Sequence, residues 1–388
     1  MIADLHCHYP MHVMMEEPRD RIGHMTRVRG RPLGDRVRAI VLRAASALLS
    51  DRDLWSGERV NLELLQRGRV RLVWSVLHSP FNEIDLSRPY GAPPESDYFR
   101  RLLDQLERVE SHLATFDDSV ATIVSDADAL DRALVDDGPI AFVHVLEGGV
   151  DLGATPDEIE RNVATLRRRG VAYVTLAHLF YRRVATNAHA IPFLPERVYD
   201  WVFRQPEGEG LTELGRAAVE AMGRNRILVD LAHMRGDAIE ETFEVLDRVA
   251  PDMPIVNSHA GYRFGEQEYM LDAPTVERIA RRRGMVGLIL AQHQLNDGIR
   301  KKETETFEES FEVLRRHVDK LHEITGSHEY VGIGSDFDGF IKPTMGGIES
   351  MSDMAKLEDA LTRHYGAADA ELIASGNARR VLRELWRS

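Results

Sequence analysis

Eight short apolar runs punctuate the chain, and each stops at a residue with a polar or metal-binding head. Met1–Leu5 leads into His6-Cys7-His8, Val70–Leu77 into His78, Ile140–Leu146 into Glu147, and Val171–Ala177 into His178. Ile227–Ala232 leads into His233, Pro254–Ser258 into His259, Met285–Ala291 into Gln292-His293, and Tyr330–Ser335 into Asp336. The runs lack helical period and are rich in β-branched residues, as in RVRLVWSVL, VAYVTLAH and RILVDLAH. Near-continuous apolar strands of this kind suit a parallel sheet covered on both faces. Between them lie amphipathic stretches. Asp97–Phe116 repeats apolar residues at Phe99, Leu102, Leu103, Leu106, Val109 and Leu113, a helical spacing. Pro156–Arg169 follows a helix-capping Thr155, and Thr212–Asn225, Ala238–Val249, Pro274–Arg283 and Glu309–Thr325 read the same way. The alternation predicts an α/β fold with right-handed crossovers, a (β/α)8 TIM barrel. Metal-type ligands at the C-terminal ends of its strands are how such a barrel builds an active site.

The organisation is that of one domain over 1–388. Residues 9–68 read as an insertion after the first strand, with a helix around Arg36–Leu49, lying over the barrel mouth as a lid, a dimer contact or an ordinary packed excursion. A proline-bearing loop covers 79–96. From about residue 350 a helical tail follows, Ser352–His364 and Ala368–Glu384.

Composition narrows the partners. The 388 residues are 43% apolar, enough for a large core, and carry a net charge of −14. Nucleic acid and anionic membrane both call for a basic face, so neither is expected as a partner. The single cysteine, Cys7, excludes an internal disulfide. No apolar run approaches the ~20 residues of a membrane span, and MIADLHCH lacks the basic start of a leader. Cytoplasmic location is the default expectation.

His6 and His8 stand two apart at a strand end, so both imidazoles face one way, with Asp4 on the same face. Glu147 ends an apolar strand, where an unpaired carboxylate is costly to bury, and Gly148-Gly149 lets the backbone turn beside a ligand. A carboxylate can bridge two cations, and Glu147 is the expected bridge. His233 and His259 close consecutive strands at equivalent places, as imidazole ligands would. His178 is read as a donor to a developing oxyanion rather than as a ligand. Asp336 is assigned a metal contact and the proton from the attacking water, while Asp338 reads as a turn or supporting residue before Gly339. His78 and His293 read as supporting or structural. Two cations sharing a carboxylate lower the pKa of a water between them and polarise a carbonyl, which is amide-hydrolysis chemistry. No G-x-S-x-G, G-x-G-x-x-G or G-x-x-x-x-G-K-[ST] motif offers a rival chemistry.

Taken together, DLHCH, Trp74-Ser75-Val76, VLEGG, YVTLAH, VDLAH, NSHAG and VGIGSDFDG resemble the membrane (renal) dipeptidase family, peptidase family M19 of the amidohydrolase superfamily. Gly346-Gly347-Ile348-Glu349 and Gly376-Asn377-Ala378-Arg379-Arg380-Val381 extend the resemblance into the tail. The resemblance implies a binuclear zinc barrel that cleaves dipeptides. His6 would bind the first zinc, Glu147 would bridge, His233 and His259 would bind the second, Asp336 would shuttle the proton, and His178 would contact the tetrahedral intermediate. Manganese and cobalt accept the same N/O ligands. Two positions depart from the family. His8 stands where the family has an aspartate, which removes a negative charge. Met270 stands near the family's substrate-carboxylate arginine, and Arg263 is the nearby cation that could take over.

The leading reading is thus a metal-dependent dipeptidase acting on a small-molecule dipeptide or related amide, with a homodimer left open. A second keeps the barrel and metals but takes an N-acyl amino acid, another small amide or a lactone. A third, a catalytically silent barrel that binds a small ligand, predicts degraded ligands, and these are intact.

Overall fold

The computed structural model describes residues 1–14, 33–48, 58–79, 82–83, 88–191, 194–339 and 343–387. Its strands are β1 (Ile2–Cys7), β2 (Val70–His78), β3 (Ala121–Ile123), β4 (Ile140–Glu147), β5 (Tyr173–Thr175), β6 (Leu228–Asp230), β7 (Val256–Ala260), β8 (Met285–Leu288) and β9 (Val331–Ile333). All pair in parallel in the order β2-β1-β9-β8-β7-β6-β5-β4-β3, and a β2–β4 pairing closes the ring. Eight strands therefore make the barrel, as the apolar runs predict. β3 is the ninth strand, and it lies outside the ring. It borders the first half of β4, from Ala121↔Ile140 to Ile123↔Phe142, and β5 takes that edge at Leu146↔Val174 and Glu147↔Thr175. Three residues in a polar stretch give no periodicity to read, so the sequence does not announce it.

Helices cover the outside. Tyr98–Leu113 buries Phe99, Leu102, Leu106, Val109 and Leu113, the face that its spacing marks. Thr155, Thr212, Asp272 and Thr306 each accept a backbone N–H at the start of a helix and so set where it begins. The tail is two helices, Met354–Glu371 and Asn377–Trp386, joined by a wider turn over Leu372–Gly376.

The strand ends differ from the apolar runs, and the differences shape the site. β5 and β6 stop at Thr175 and Asp230, whose side chains bond at 2.5 Å inside the barrel. His178 and His233 therefore sit on loops beyond the ladder, His233 in the left-handed region at φ 64°. His259, by contrast, lies within β7. β9 ends at Ile333, and Asp336 and Asp338 both take left-handed backbone, at φ 57° and 64°.

Part of the expected insertion at 9–68 lies outside the described residues. Of the remainder, the helix Leu33–Leu48 leans on the helix Glu196–Val202, where Arg38 Nε donates to the Val202 carbonyl at 2.9 Å. Val37, Val41 and Tyr90 join Phe180, Tyr199, Val202 and Phe203 in a small apolar cluster beside the loop that carries His178. Among the described residues no helix is long and apolar enough to cross a membrane.

Candidate metal centre

β1, β4 and β7 bring His6, Glu147 and His259 to one end of the barrel, His8 follows directly after β1, and the loops after β5, β6 and β9 add His178, His233 and Asp336. All seven are buried. Glu147 is the hub. Its Oε1 lies 3.3 Å from His6 Nε2, 3.4 Å from His233 Nε2 and 3.7 Å from His259 Nε2. Its Oε2 lies 3.4 Å from both His8 Nε2 and His178 Nε2. Asp336 Oδ1 stands 3.2 Å from His8 Nε2 and 3.8 Å from His6 Nε2. The group has two poles that share Glu147. His6, His8 and Asp336 form one, and their ligand atoms all lie within 4.8 Å of one another. His233 and His259 form the other, with their Nε2 atoms 3.0 Å apart.

These residues fit a pair of divalent cations. Buried polar atoms are normally hydrogen-bonded, yet both Glu147 carboxylate oxygens and His6 Nε2 are buried without a hydrogen bond. Imidazole nitrogen and carboxylate oxygen are the donors that zinc and its neighbours accept.

The layer beneath fixes which ring nitrogen faces the cavity. Tyr173 gives its one hydroxyl proton to the Leu5 carbonyl at 3.0 Å, so it accepts from His6 Nδ1 at 2.7 Å. Ser258 Oγ donates to Asp230 Oδ2 at 2.6 Å and so accepts from His259 Nδ1 at 2.7 Å. With the proton on Nδ1, each ring turns a lone pair at Nε2 toward the cavity, the orienting role of outer-shell partners. Asp230 is itself saturated, also accepting from Thr175 Oγ1 and from the backbone of Ala232 and Ser258.

Charge follows the same geometry. Burial opposes ionisation of Glu147, but the surrounding imidazoles, His178 and His6 first, hold its carboxyl well below the usual range. Burial also works against a charge on His178, yet the Glu147 and Glu83 carboxylates raise its imidazole to about 9. Burial and the neighbouring imidazoles His6 and His233 drive His259 well below its ordinary value, which keeps a lone pair available.

Two glycines explain their motifs. A Cβ on Gly339 would lie 1.9 Å from Asp336 Oδ1 and 2.6 Å from His8 Cδ2, so DFDG ends in glycine because the site passes through that space. A Cβ on Gly149 would meet the Leu176 carbonyl at 2.7 Å, where the turn after β4 packs on the end of β5.

Arg263 is not brought into the cluster. Its Nε donates to the Met270 carbonyl at 2.8 Å and its Nη2 to the Glu268 carbonyl at 2.9 Å, closing its own loop. No hydrogen bond or ion pair among the described residues joins it to the seven groups. Met270 is buried. Asp338 turns the other way from Asp336 and accepts from the Arg59 and Val60 backbone at 3.1 and 3.0 Å. His293 likewise stays apart, bonded to the Ala190 carbonyl. His78 belongs to the site. Its Nδ1 donates to the Glu147 carbonyl at 3.0 Å, its ring packs 4.6 Å from that of His178, and it forms a third potential ligand group with Glu147 and His178.

Sequence reading missed Glu83, Tyr173, Asp230 and Ser258. The polar Asp230 within the apolar RILVDLAH was a signal. Glu83, in a stretch without hydrophobic periodicity, left none, although its Oε2 meets His178 Nδ1 and its Oε1 accepts from Phe180 N at 2.6 Å.

Comparison with known proteins shows the family and the fold. The sequence model of membrane dipeptidase, peptidase family M19, matches residues 37–387. Dipeptidase 3 of Rattus norvegicus is 24% identical over 296 residues, 75% of this chain and 53% of that protein. The chain spans about half the length of the curated relatives it matches. Among solved structures, a dipeptidase of family M19 superposes with a TM-score of 0.67 at 20% identity, covering 89% of this chain and 96% of that one. A metallopeptidase from Rhodobacter sphaeroides, bound to a phosphinate mimic of the dipeptide L-Ala-D-Ala, gives 0.64 at 21% identity with the same coverage. These structural likenesses show the fold.

Proposed function

The chain belongs to the membrane dipeptidase family, peptidase family M19, and from that membership and the geometry of its centre we propose that it is a metal-dependent hydrolase cleaving the amide bond of a dipeptide. The observation that carries the reading is Glu147, a buried ionised carboxylate with no hydrogen bond and imidazole nitrogens on both sides of it. We assign two zinc ions to the centre, with manganese or cobalt as substitutes. His6, His8 and Asp336 would hold one, His233 and His259 the other, and Glu147 both. Bound there, the cations would supply the Lewis acidity that makes an attacking water acidic and polarises the scissile carbonyl.

The remaining work falls to the chain's own groups. Asp336 takes the proton of the attacking water and returns it to the leaving nitrogen, a general base turned general acid. Its left-handed backbone and the close approach of Gly339 hold that carboxylate against His8. His178, kept protonated by the two carboxylates beside it, donates from Nε2 to the oxyanion that develops on the substrate. Burial of all seven groups excludes bulk water and strengthens each of these interactions.

One observation favours a second reading of the substrate. Arg263 engages its own loop and Met270 is buried, so among the described residues the cation expected for a free C-terminal carboxylate is not turned toward the centre. An N-acyl amino acid, another small amide or a lactone then fits the same centre. A substrate panel decides. Zinc-loaded protein is offered L,L and L,D dipeptides, their C-terminal amides, and N-acyl amino acids. Turnover of free dipeptides, lost on amidation, supports the dipeptidase. Turnover of acyl amides alone moves the protein to the second reading, and no turnover of any member refutes both.

A further inference from the structure

Glu83 is a carboxylate that the hydrolytic scheme does not use. It is 5% exposed. A buried carboxylate is costly unless its oxygens are matched by donors, and both of its oxygens are matched, Oε2 by His178 Nδ1 and Oε1 by Phe180 N at 2.6 Å. The segment that carries it is held from both sides. Arg182 Nη1 donates to the Glu83 carbonyl at 3.0 Å. The preceding Asn82 donates to Asp151 Oδ1 at 2.6 Å and accepts from Arg101 Nη1 at 3.3 Å. Asn82 and Glu83 are thus tied to the turn after β4 and the loop after β5, and one tie passes through the ring nitrogen of His178.

That contact selects an orientation. An ionised carboxylate only accepts, so the proton on Nδ1 must point at Glu83, and Nε2 is then the atom presented to the cavity, 3.4 Å from Glu147 Oε2. Turned over about its Cβ–Cγ bond, the ring would place carbon against the carboxylate and leave a buried charge unmatched. The neighbouring rings would not prevent this. His78 and His233 flank His178 edge to face, both with centroids 4.6 Å away, and neither bonds to it.

We infer that Glu83 is a positioning residue for the oxyanion donor, holding the His178 ring by Nδ1 so that Nε2 faces the reacting carbonyl. The inference rests on the hydrolase reading above and adds to it a residue from an otherwise unremarkable loop.

A double-mutant cycle on the zinc-loaded full chain tests it. Glu83→Gln keeps the size but offers one acceptor where two donors need one. Its kcat is expected to fall by about 10–100-fold, the usual cost of losing an orienting partner, with KM within about twofold and bound zinc unchanged. His178→Gln alone should lose at least as much. The double variant should be no slower than His178→Gln, since groups that act as a unit are not additive. Multiplicative losses, an unchanged kcat in Glu83→Gln, or a loss that tracks bound zinc would overturn the proposal. If Glu83→Gln does not fold, Glu83→Asp, which keeps the charge with a shorter reach, takes its place in the same cycle with the same criteria.

A proton resonance from His178 Nδ1–H, shifted downfield by the carboxylate and lost in the Glu83 variant, reports the contact without turnover. Wild-type protein that shows this resonance and hydrolyses no substrate refutes the hydrolase reading and leaves the contact standing. Active wild type with an additive cycle refutes the positioning role alone.

Discussion

At Glu147 the residue chemistry is most constrained, since five imidazole nitrogens lie 3.3–3.7 Å from a carboxylate that makes no hydrogen bond. Glu147→Gln keeps the shape and removes the charge, and it is expected to lower zinc affinity by more than about 100-fold, beyond the ~10–100-fold typical of outer partners. Chelator competition measures this, and affinity equal to wild type would count against the bridging role. Gly339→Ala is expected to reduce kcat by about 100-fold while the protein stays folded, because its Cβ would overlap Asp336 Oδ1 and displace the carboxylate proposed to carry the proton. Circular dichroism beside initial rates separates the two effects. The candidate ligands that the barrel gathers were legible in the sequence because each is a polar residue ending an apolar run. Their partners were less so. Tyr173 and Ser258 look like ordinary strand residues until the barrel closes, and His78 becomes part of the site only because β2 pairs with β4.

Among the elements, strands were easier to read than the ends of strands. The apolar runs located all eight barrel strands, but where the ladder stops depends on side chains meeting across the barrel, as Thr175 and Asp230 do. β3 was invisible because three residues carry no period. The short turn Gly149–Leu152 after β4 makes a prediction of its own. Burial raises the Asp151 carboxyl to about 8, the Asn82 amide opposing. The unfolded chain ionises it near 3.8, so between pH 4 and 8 the folded state holds the extra proton and this group's contribution to stability falls as pH rises. Asp151→Asn, which cannot ionise and keeps an acceptor for Asn82, is expected to gain stability over wild type on going from pH 5 to pH 8, by at most about 1.4 kcal/mol per pH unit. Denaturant unfolding at the two pH values measures the difference, and a gap that is constant or shrinks would contradict the assignment.

For the whole molecule the barrel and the centre depend on each other. The seven groups come from six strands or their following loops, spread from His6 to Asp336 along the chain, so ions bound among them tie distant segments together. Ligands that bind only the folded state stabilise it, by about 4 kcal/mol at a free concentration a thousand times Kd. Stripping the metals is therefore expected to lower Tm by several degrees, and wild-type protein should lose more than Glu147→Gln does. Equal Tm with and without chelator would argue against a tightly held metal. At this scale the sequence was legible in fold and family and less so in substrate, because the cation proposed for a substrate carboxylate is a single side chain, Arg263, whose Nε and Nη2 donate to its own loop. The most direct test of the central claim is a titration of zinc into metal-stripped protein while dipeptide hydrolysis is followed. The account predicts no turnover in the stripped protein and a rise that levels off at two ions per chain. Full turnover by the stripped protein, or a plateau reached without a second ion, would contradict it.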